Sequence, residues 1–429
     1  MEISLEGARR RSGLLVTALV VCTIVIFEAG RIWLASHWLA SGKTDVMQRG
    51  AELTPADGSA WDAVGRSRQW DFVNPDLPGA IADYQRALGD DPRSAYYWMD
   101  LASAYEAQGD DTRASDAFQK GQAAYPASAQ VAFYYGNFLI RQQQYAKAYP
   151  ELRRAIRADP SLLPLVISRS WRATEDVNPL LDQILPPRVN AYLQALNFFS
   201  SIHQVDAALT VWQRLVSLKQ EVSLPATFSF FDELISEDRS DDARRAWREA
   251  VAAAGLPDQE PANHSSIWNG NFTAEFENGG LGWRWEQRPG ASVNIDPGAG
   301  PNGSNAIRLD FNGGNNINLE SPSQYVPVGP GQSYHFHAEL KTEEITTDSG
   351  IRFSISDAKH NVVNLTTESF TGSHPWTPVD ANITTGSETH FLDVRLARFP
   401  SRAFDNRLSG TAWIANLSLV PIETEPASP

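Results

Sequence analysis

The chain has 429 residues, 42% of them hydrophobic, and a net charge of -15. That length exceeds one compact domain, and the acidic balance argues against a nucleic-acid partner, because like charge repels a phosphate backbone. The single cysteine, Cys22, excludes a disulfide within the chain.

Arg9, Arg10 and Arg11 precede an uncharged run from Ser12 to Phe27. As a helix this run covers about 24 Å, a little short of a hydrocarbon core of roughly 30 Å. Apolar character resumes after Glu28, through Ala29, Gly30, Ile32, Trp33 and Leu34. Glu28 and Arg31 are three apart, so they pair on one helix face, with Arg31 snorkelling outward. The pattern predicts a single-pass anchor whose arginines stay in the cytoplasm, with the bulk of the chain exported. A cleaved signal peptide is the alternative, but its small-residue site, Ala40-Ser41-Gly42, lies far beyond the apolar run.

A period of 34 follows. Pro92, Pro126 and Pro160 fall in step, as do Tyr84, Phe118 and Leu152, and Ala80, Ala114 and Ala148. The clearest unit carries Trp98, Leu101, Ala102, Tyr105, Gly109, Ala114, Phe118, Gly121 and Pro126. Small residues stand where two helices cross closely, and the proline ends the second helix. These positions resemble the tetratricopeptide repeat. The third unit runs from Ala129 to about Pro160, and the first, with Trp61, Val64 and Gly65, has a longer inter-helix loop around Asn74-Pro75-Asp76. The resemblance implies a concave groove lined by each unit's first helix. In this register the lining is Asp62, Arg66 and Gln69, then Tyr96, Met99, Ser103 and Glu106, then Gln130, Phe133, Asn137 and Arg141. Exposed Tyr, Met and Phe beside Asn and Arg suit a protein segment. Trp98 is expected in the core.

Residues 161–188 are proline-rich and read as irregular. Tyr192, Ala195, Leu196, Phe199, Ala208, Trp212 and Leu215 fit a fourth unit, and Phe230, Phe231, Leu234, Ala243, Trp247 and Ala250 a fifth. Gly255-Leu256-Pro257 ends the helical part, and Asp258 to Ala262 forms a short polar linker.

From Asn263 the hydrophobic period changes to two. Ile307, Leu309 and Phe311 alternate with polar neighbours, as do Tyr334, Phe336, Ala338 and Leu340, and Leu392, Val394 and Leu396. Short strands between Gly- and Pro-rich turns read as a β-sandwich. Trp268-Asn269-Gly270-Asn271-Phe272, Gly282-Trp283-Arg284-Trp285, Pro330-Gly331-Gln332-Ser333-Tyr334 and Gly410-Thr411-Ala412-Trp413-Ile414 occur in an order that resembles galactose-binding-like jelly rolls, which include many carbohydrate-binding modules. The resemblance implies a glycan surface, for which Trp283, Trp285, Tyr325 and Trp376 are the aromatic candidates and Asn316, Asn318, Arg352, Asp393 and Arg395 the polar ones. Trp413, in step with Leu417 and Leu419, is assigned to the core. Such modules often hold a structural Ca²⁺. Here Thr273 and Ala415-Asn416 stand where its carboxylates would be, which argues against the ion.

No catalytic spacing emerges. Gly329, His335-Phe336-His337, Glu343 and Gly350 approach the first metal motif of cupins, but the glutamate falls one residue late and no second motif follows. The sequence therefore predicts a multidomain α plus β chain: a cytoplasmic stub and signal-anchor transmembrane helix over 1–42, a helical-repeat solenoid over 43–257, an antiparallel β-sandwich of jelly-roll type over 263–423, and a tail at 424–429. The expected role is a non-catalytic, envelope-tethered adaptor of the bacterial inner membrane. It holds a protein partner in the groove, its sandwich meets a glycan or a second protein, and its bulk is periplasmic. No cofactor or metal is expected. The alternative is a metal-dependent enzyme at His335 and His337.

Overall fold

The computed structural model describes residues 8–256 and 264–422. The expected linker Asp258–Ala262, the tail 424–429 and the side chains of Arg9, Arg10 and Arg11 lie outside the described residues. The chain divides into two compact units, one ending at Leu185 and the other beginning at Pro186.

The first unit opens with α1 (Ala8–Leu39), whose Ser12–Leu39 stretch is long and apolar enough to cross a membrane. Glu28 and Arg31 pair at 2.6 Å. Arg31 does not point to open solvent: its guanidinium also donates to the Leu53 carbonyl, which closes the C-terminus of α2 (Thr44–Leu53). Gly50 of α2 lies against the Ala35 carbonyl of α1, where a Cβ would come to 2.9 Å, so these helices cross closely.

Three helical hairpins follow: α3 (Gly58–Gln69) with α4 (Leu77–Asp90), α5 (Ala95–Gln108) with α6 (Asp111–Ala124), and α7 (Ala129–Arg141) with α8 (Tyr145–Ala158). Asp57, Asp76, Ser94, Asp110 and Ser128 cap the first five of these helices by accepting from backbone N–H groups, each cap worth about 1 kcal/mol. Ala80, Ala114 and Ala148 are fully buried at the helix crossings, and Tyr84, Phe118 and Leu152 fill the space between them. Trp61 and Trp98 are equivalent although 37 residues apart, because each indole N–H donates to the carbonyl of the proline six residues earlier, Pro55 and Pro92. The three extra residues are the longer loop of the first unit. Trp61 is buried; Trp98, contrary to expectation, is only half-buried, with Lys120 over its ring at 5.0 Å.

Residues 161–188 are more regular than their prolines suggest. Pro164 falls in the first turn of α9 (Leu163–Thr174), where a missing N–H costs nothing. A single turn, α10 (Val177–Pro179), then leads into a π-helical turn, Leu180–Ile184.

The second unit begins with the hairpins α11 (Val189–Ser201) with α12 (Val205–Ser217), and α13 (Phe228–Ser236) with α14 (Ser240–Ala253). Trp212, Phe230, Phe231 and Trp247 form their aromatic core. Among the described residues nine strands follow: β1 (Ala291–Asp296), β2 (Ala306–Asn312), β3 (Ser323–Pro327), β4 (Ser333–Ile345), β5 (Arg352–Asp357), β6 (Val363–Thr366), β7 (Gly372–Thr384), β8 (Phe391–Ala397) and β9 (Ser409–Pro421). They form two antiparallel sheets, in the order β1-β2-β9-β4-β7 and β3-β8-β5-β6. The sheets enclose one apolar core that includes Leu309, Phe336, Phe353 and Val394.

The sandwich packs directly on the last hairpin. Trp247 meets Trp268 edge to face at 6.1 Å, Arg244 donates to the Pro327 carbonyl at 2.9 Å, and Lys359 pairs with Asp238 at 2.5 Å.

Trp413 is not in the sandwich core. Asn416 takes a left-handed backbone, φ 54°, and the register with β4 shifts there. One extra residue reverses the alternation, so Leu417 and Leu419 face inward and Trp413 faces out. On that outer face it packs with Ala306, Ala415 and Trp376.

Candidate functional site: the repeat groove and the sheet faces

The first helices of the three repeats, α3, α5 and α7, present equivalent rows. Asp62, Met99 and Phe133 make one row, and Arg66, Ser103 and Asn137 the next. The residues of these rows differ sharply in access. Asp62, Gln69, Met99 and Asn137 are buried. Ser103, Glu106 and Phe133 are half-buried, and Arg66, Tyr96, Gln130 and Arg141 are exposed. The expected exposure of Met99 is thus corrected: it lies in the core between α5 and its neighbours.

Side chains of this set link one repeat to the next. The Tyr84 hydroxyl donates to Gln69 at 2.8 Å, and the Gln69 amide donates to Ser103 at 3.1 Å, a chain running from α4 through α3 to α5. Arg141 of α7 grips Glu106 of α5 with two hydrogen bonds, at 2.6 and 2.8 Å. Asn137 turns back to the Phe133 carbonyl of its own helix at 2.7 Å. Above this floor stand Tyr96 and Tyr134, 47% and 43% exposed, and the free edge of Arg66.

Beneath Arg66 lies an acidic pair that sequence reading missed. Asp62 meets the guanidinium at 3.0 Å, while Asp100 of the next repeat stands at 4.0 Å. Burial holds both carboxyls above the usual carboxylate range. Asp100 is pushed up to about 7, by burial first and then by the Asp62 charge, with Arg66 opposing. An unfolded chain releases these protons near pH 4. The folded chain keeps its proton longer, so the pair's stabilisation is complete below about pH 4 and lost as pH rises to about 7. Asp100→Asn is expected to flatten this pH dependence and to raise the melting temperature above pH 7, by about 1–2 kcal/mol of stability, since a buried charge is removed. Melting curves from pH 4 to 8 measure both effects.

The nine sandwich candidates do not come together. Trp283 is a core residue, with its indole N–H on the Asn269 carbonyl at 3.1 Å. Trp285 packs partly against the same core. Asn316 is structural, bonded to Arg398 and to the backbone of Ser401. Asn318 is exposed beside Glu320. Tyr325, Arg352, Asp393 and Arg395 do share a surface, the outer face of the four-stranded sheet. There Tyr325 stands opposite Asp393, and Asp393 pairs with Arg395 at 2.5 Å. Burial raises the Asp393 carboxyl above its ordinary range, against the pull of Arg395 and Arg284. Arg284 covers the Tyr325 ring at 4.6 Å, and Arg352 covers Phe399 at 5.0 Å.

Trp376 belongs to the outer face of the other sheet, with Trp413. The Trp413 ring lies between Lys341 at 4.4 Å and Arg308 at 5.5 Å, and its N–H donates to Asp296. His335 and His337 are on this face too. Both aim a ring nitrogen at one oxygen, Asp380 Oδ1, at 3.2 and 2.8 Å. Glu343 lies six residues along β4 from His337, on the order of 20 Å away, so it does not join them.

Residues 75–129 and 112–162 match the tetratricopeptide-repeat family. No curated protein matches the chain. Among solved structures, it is similar to Pseudomonas aeruginosa pilF at 13% identity, over 52% of this chain and 90% of that one, with a TM-score of 0.29. It is also similar to YrrB, a TPR protein with an unusual peptide-binding site, at 15% identity over 50% and 94% of the two chains, TM-score 0.26. A CBM4 structure is similar at 12% identity over 36% and 99%, TM-score 0.28. Repeat signatures, helical hairpins and family match agree: residues 75–162 are tetratricopeptide repeats, in a helical region that is followed by an antiparallel β-sandwich.

Proposed function

We propose that the protein is a membrane-anchored, non-catalytic adaptor that holds a protein segment in its repeat groove and offers its β-sandwich to a glycan or a second protein, in cell-envelope or exopolysaccharide assembly. One observation carries the reading. The groove floor is locked from repeat to repeat by Tyr84–Gln69–Ser103 and Arg141–Glu106, while Arg66, Tyr96 and Gln130 remain exposed above it. A surface ordered before binding loses less conformational freedom on association. Exposed tyrosines and guanidiniums suit a segment with apolar anchors and a carboxylate.

The anchor reading rests on α1. Its 28-residue apolar stretch reaches about 42 Å as a helix, enough to cross a bilayer with some tilt. The three arginines before it favour a cytoplasmic N-terminus and a periplasmic bulk.

The experiment is a pull-down from detergent-solubilised membranes with the full chain and with Phe133→Ala/Arg141→Ala. Capture is expected to fall at least about tenfold, as for central anchors of an interface. The melting temperature should move little, because Phe133 is only half-buried and the exposed Arg141–Glu106 pair is worth at most about 1 kcal/mol. A variant that melts normally and captures every partner would move the binding surface to the sandwich.

A further inference from the structure

The turn between α11 and α12 and the C-terminal end of α13 place three ligating side chains together. His203, Glu233 and Glu237 each bring one nitrogen or oxygen atom within 4.8 Å of the other two. Glu233 and Glu237 are four apart and therefore lie on one face of the helix end. His203 takes a left-handed backbone, φ 56°, at the turn, and its ring reaches Glu233 Oε2 at 3.0 Å.

The Glu233 carboxylate makes this more than a surface ion pair. Its side chain is only 4% exposed, and its second oxygen, Oε1, is buried without a hydrogen-bond partner. An unsatisfied buried carboxylate oxygen is costly, and it calls for a donor or a cation. The neighbouring Arg239 is engaged by Asp206 at 2.8 Å and Asp242 at 2.7 Å. The carbonyl end of α13 adds partial negative charge at the same place. The imidazole, 72% exposed, gives an ion a path from solvent.

We propose that His203, Glu233 and Glu237 form a binding site for one divalent transition-metal ion. One imidazole and two carboxylates suit a borderline ion such as Zn²⁺, with water completing the shell. The ion fastens the turn of the fourth helical hairpin to the first helix of the fifth. The site lies in the helical region, apart from the histidines of β4, and it departs from the metal-free expectation drawn from sequence.

The test is titration of the full-length chain in detergent with Zn²⁺ alone, read by calorimetry and by melting temperature. Saturable binding of one ion per chain is expected, together with a rise in melting temperature. Glu237→Gln, at an exposed position, should abolish the binding and the thermal shift while leaving the metal-free melting temperature near wild type, and His203→Ala, which also removes the partner of the buried Glu233, should abolish the binding from whatever metal-free melting temperature it starts. His335→Ala/His337→Ala should keep both. The proposal is overturned if the wild-type chain binds no Zn²⁺, if the His203 and Glu237 variants bind as wild type does, or if the β4 double variant alone loses the ion.

Discussion

Arg398→Met is expected to destabilise the second unit by about 3–5 kcal/mol, the cost of leaving several buried acceptors without their donor. Arg398 is fully buried and lies just past the end of β8. Its guanidinium donates to the Ser349 carbonyl at 3.1 Å, to Asn316 Oδ1 and the Ile317 carbonyl at 2.6 Å each, and to Thr347 Oγ1 at 3.2 Å. One planar fork thus ties the loops after β2 and β4 to the strand end. Burial holds the group below its ordinary pKa, with Asp348 opposing. Methionine has similar length and no donor, so these acceptors are left without their partner. Arg398→Lys should fail nearly as badly, because one ammonium cannot span a fork. Denaturant melts of both variants measure the loss. A change below about 1 kcal/mol would mean that water replaces the guanidinium at little cost.

Trp247→Ala should produce a loss of similar size, about 3–5 kcal/mol, by cavity formation. Trp247 is 2% exposed and meets Phe231 at 5.1 Å and Trp268 at 6.1 Å, both edge to face. Gly280 approaches its ring so closely that a Cβ there would lie 2.2 Å from it. The indole therefore serves the last hairpin and the sandwich together, and its removal should loosen both at once. Limited proteolysis should cut the variant faster within both parts of the second unit. Trp98→Ala is the contrast. Its ring is half-buried, so a loss of only about 1–2 kcal/mol is expected. Equal losses for the two would contradict the burial assigned to each.

The repeats were legible because their packing rests on residue size at fixed spacing. Alanines at 80, 114 and 148 and the large residues at 84, 118 and 152 mark helix crossings whatever the partner is. The strands were legible for the same kind of reason, since alternation survives wherever one face is buried. Trp413 was misplaced because a single unpaired residue, Asn416, reverses that alternation. An asparagine amid strand formers was the available signal. The α9 helix was missed because a proline in a first turn looks like a breaker until the helix start is known.

The candidate sites were harder to read. Equivalent positions in the groove carry an aspartate, a methionine and a phenylalanine, and pattern alone does not say which of them is covered. Met99 and Asp62 are buried because the next first helix lies against them, a fact of tertiary packing. The Asp62–Asp100 pair spans two repeats, as do Gln69–Ser103 and Glu106–Arg141, so each partner taken singly looks like an ordinary solvated residue. Arg398 and the His203–Glu233–Glu237 cluster gather groups from separate turns and loops, and no short motif announces them.

The most direct measurement is site-specific photo-crosslinking in cells, with benzoylphenylalanine placed at Tyr96 or Gln130 in the groove, or at Ser115 on the second helix α6. Tyr96 and Gln130 are exposed on the first helices α5 and α7. Discrete crosslinks to a protein partner are expected from both groove positions and not from Ser115. Crosslinks from Ser115 alone, or none from either groove position, would contradict a groove that holds the partner.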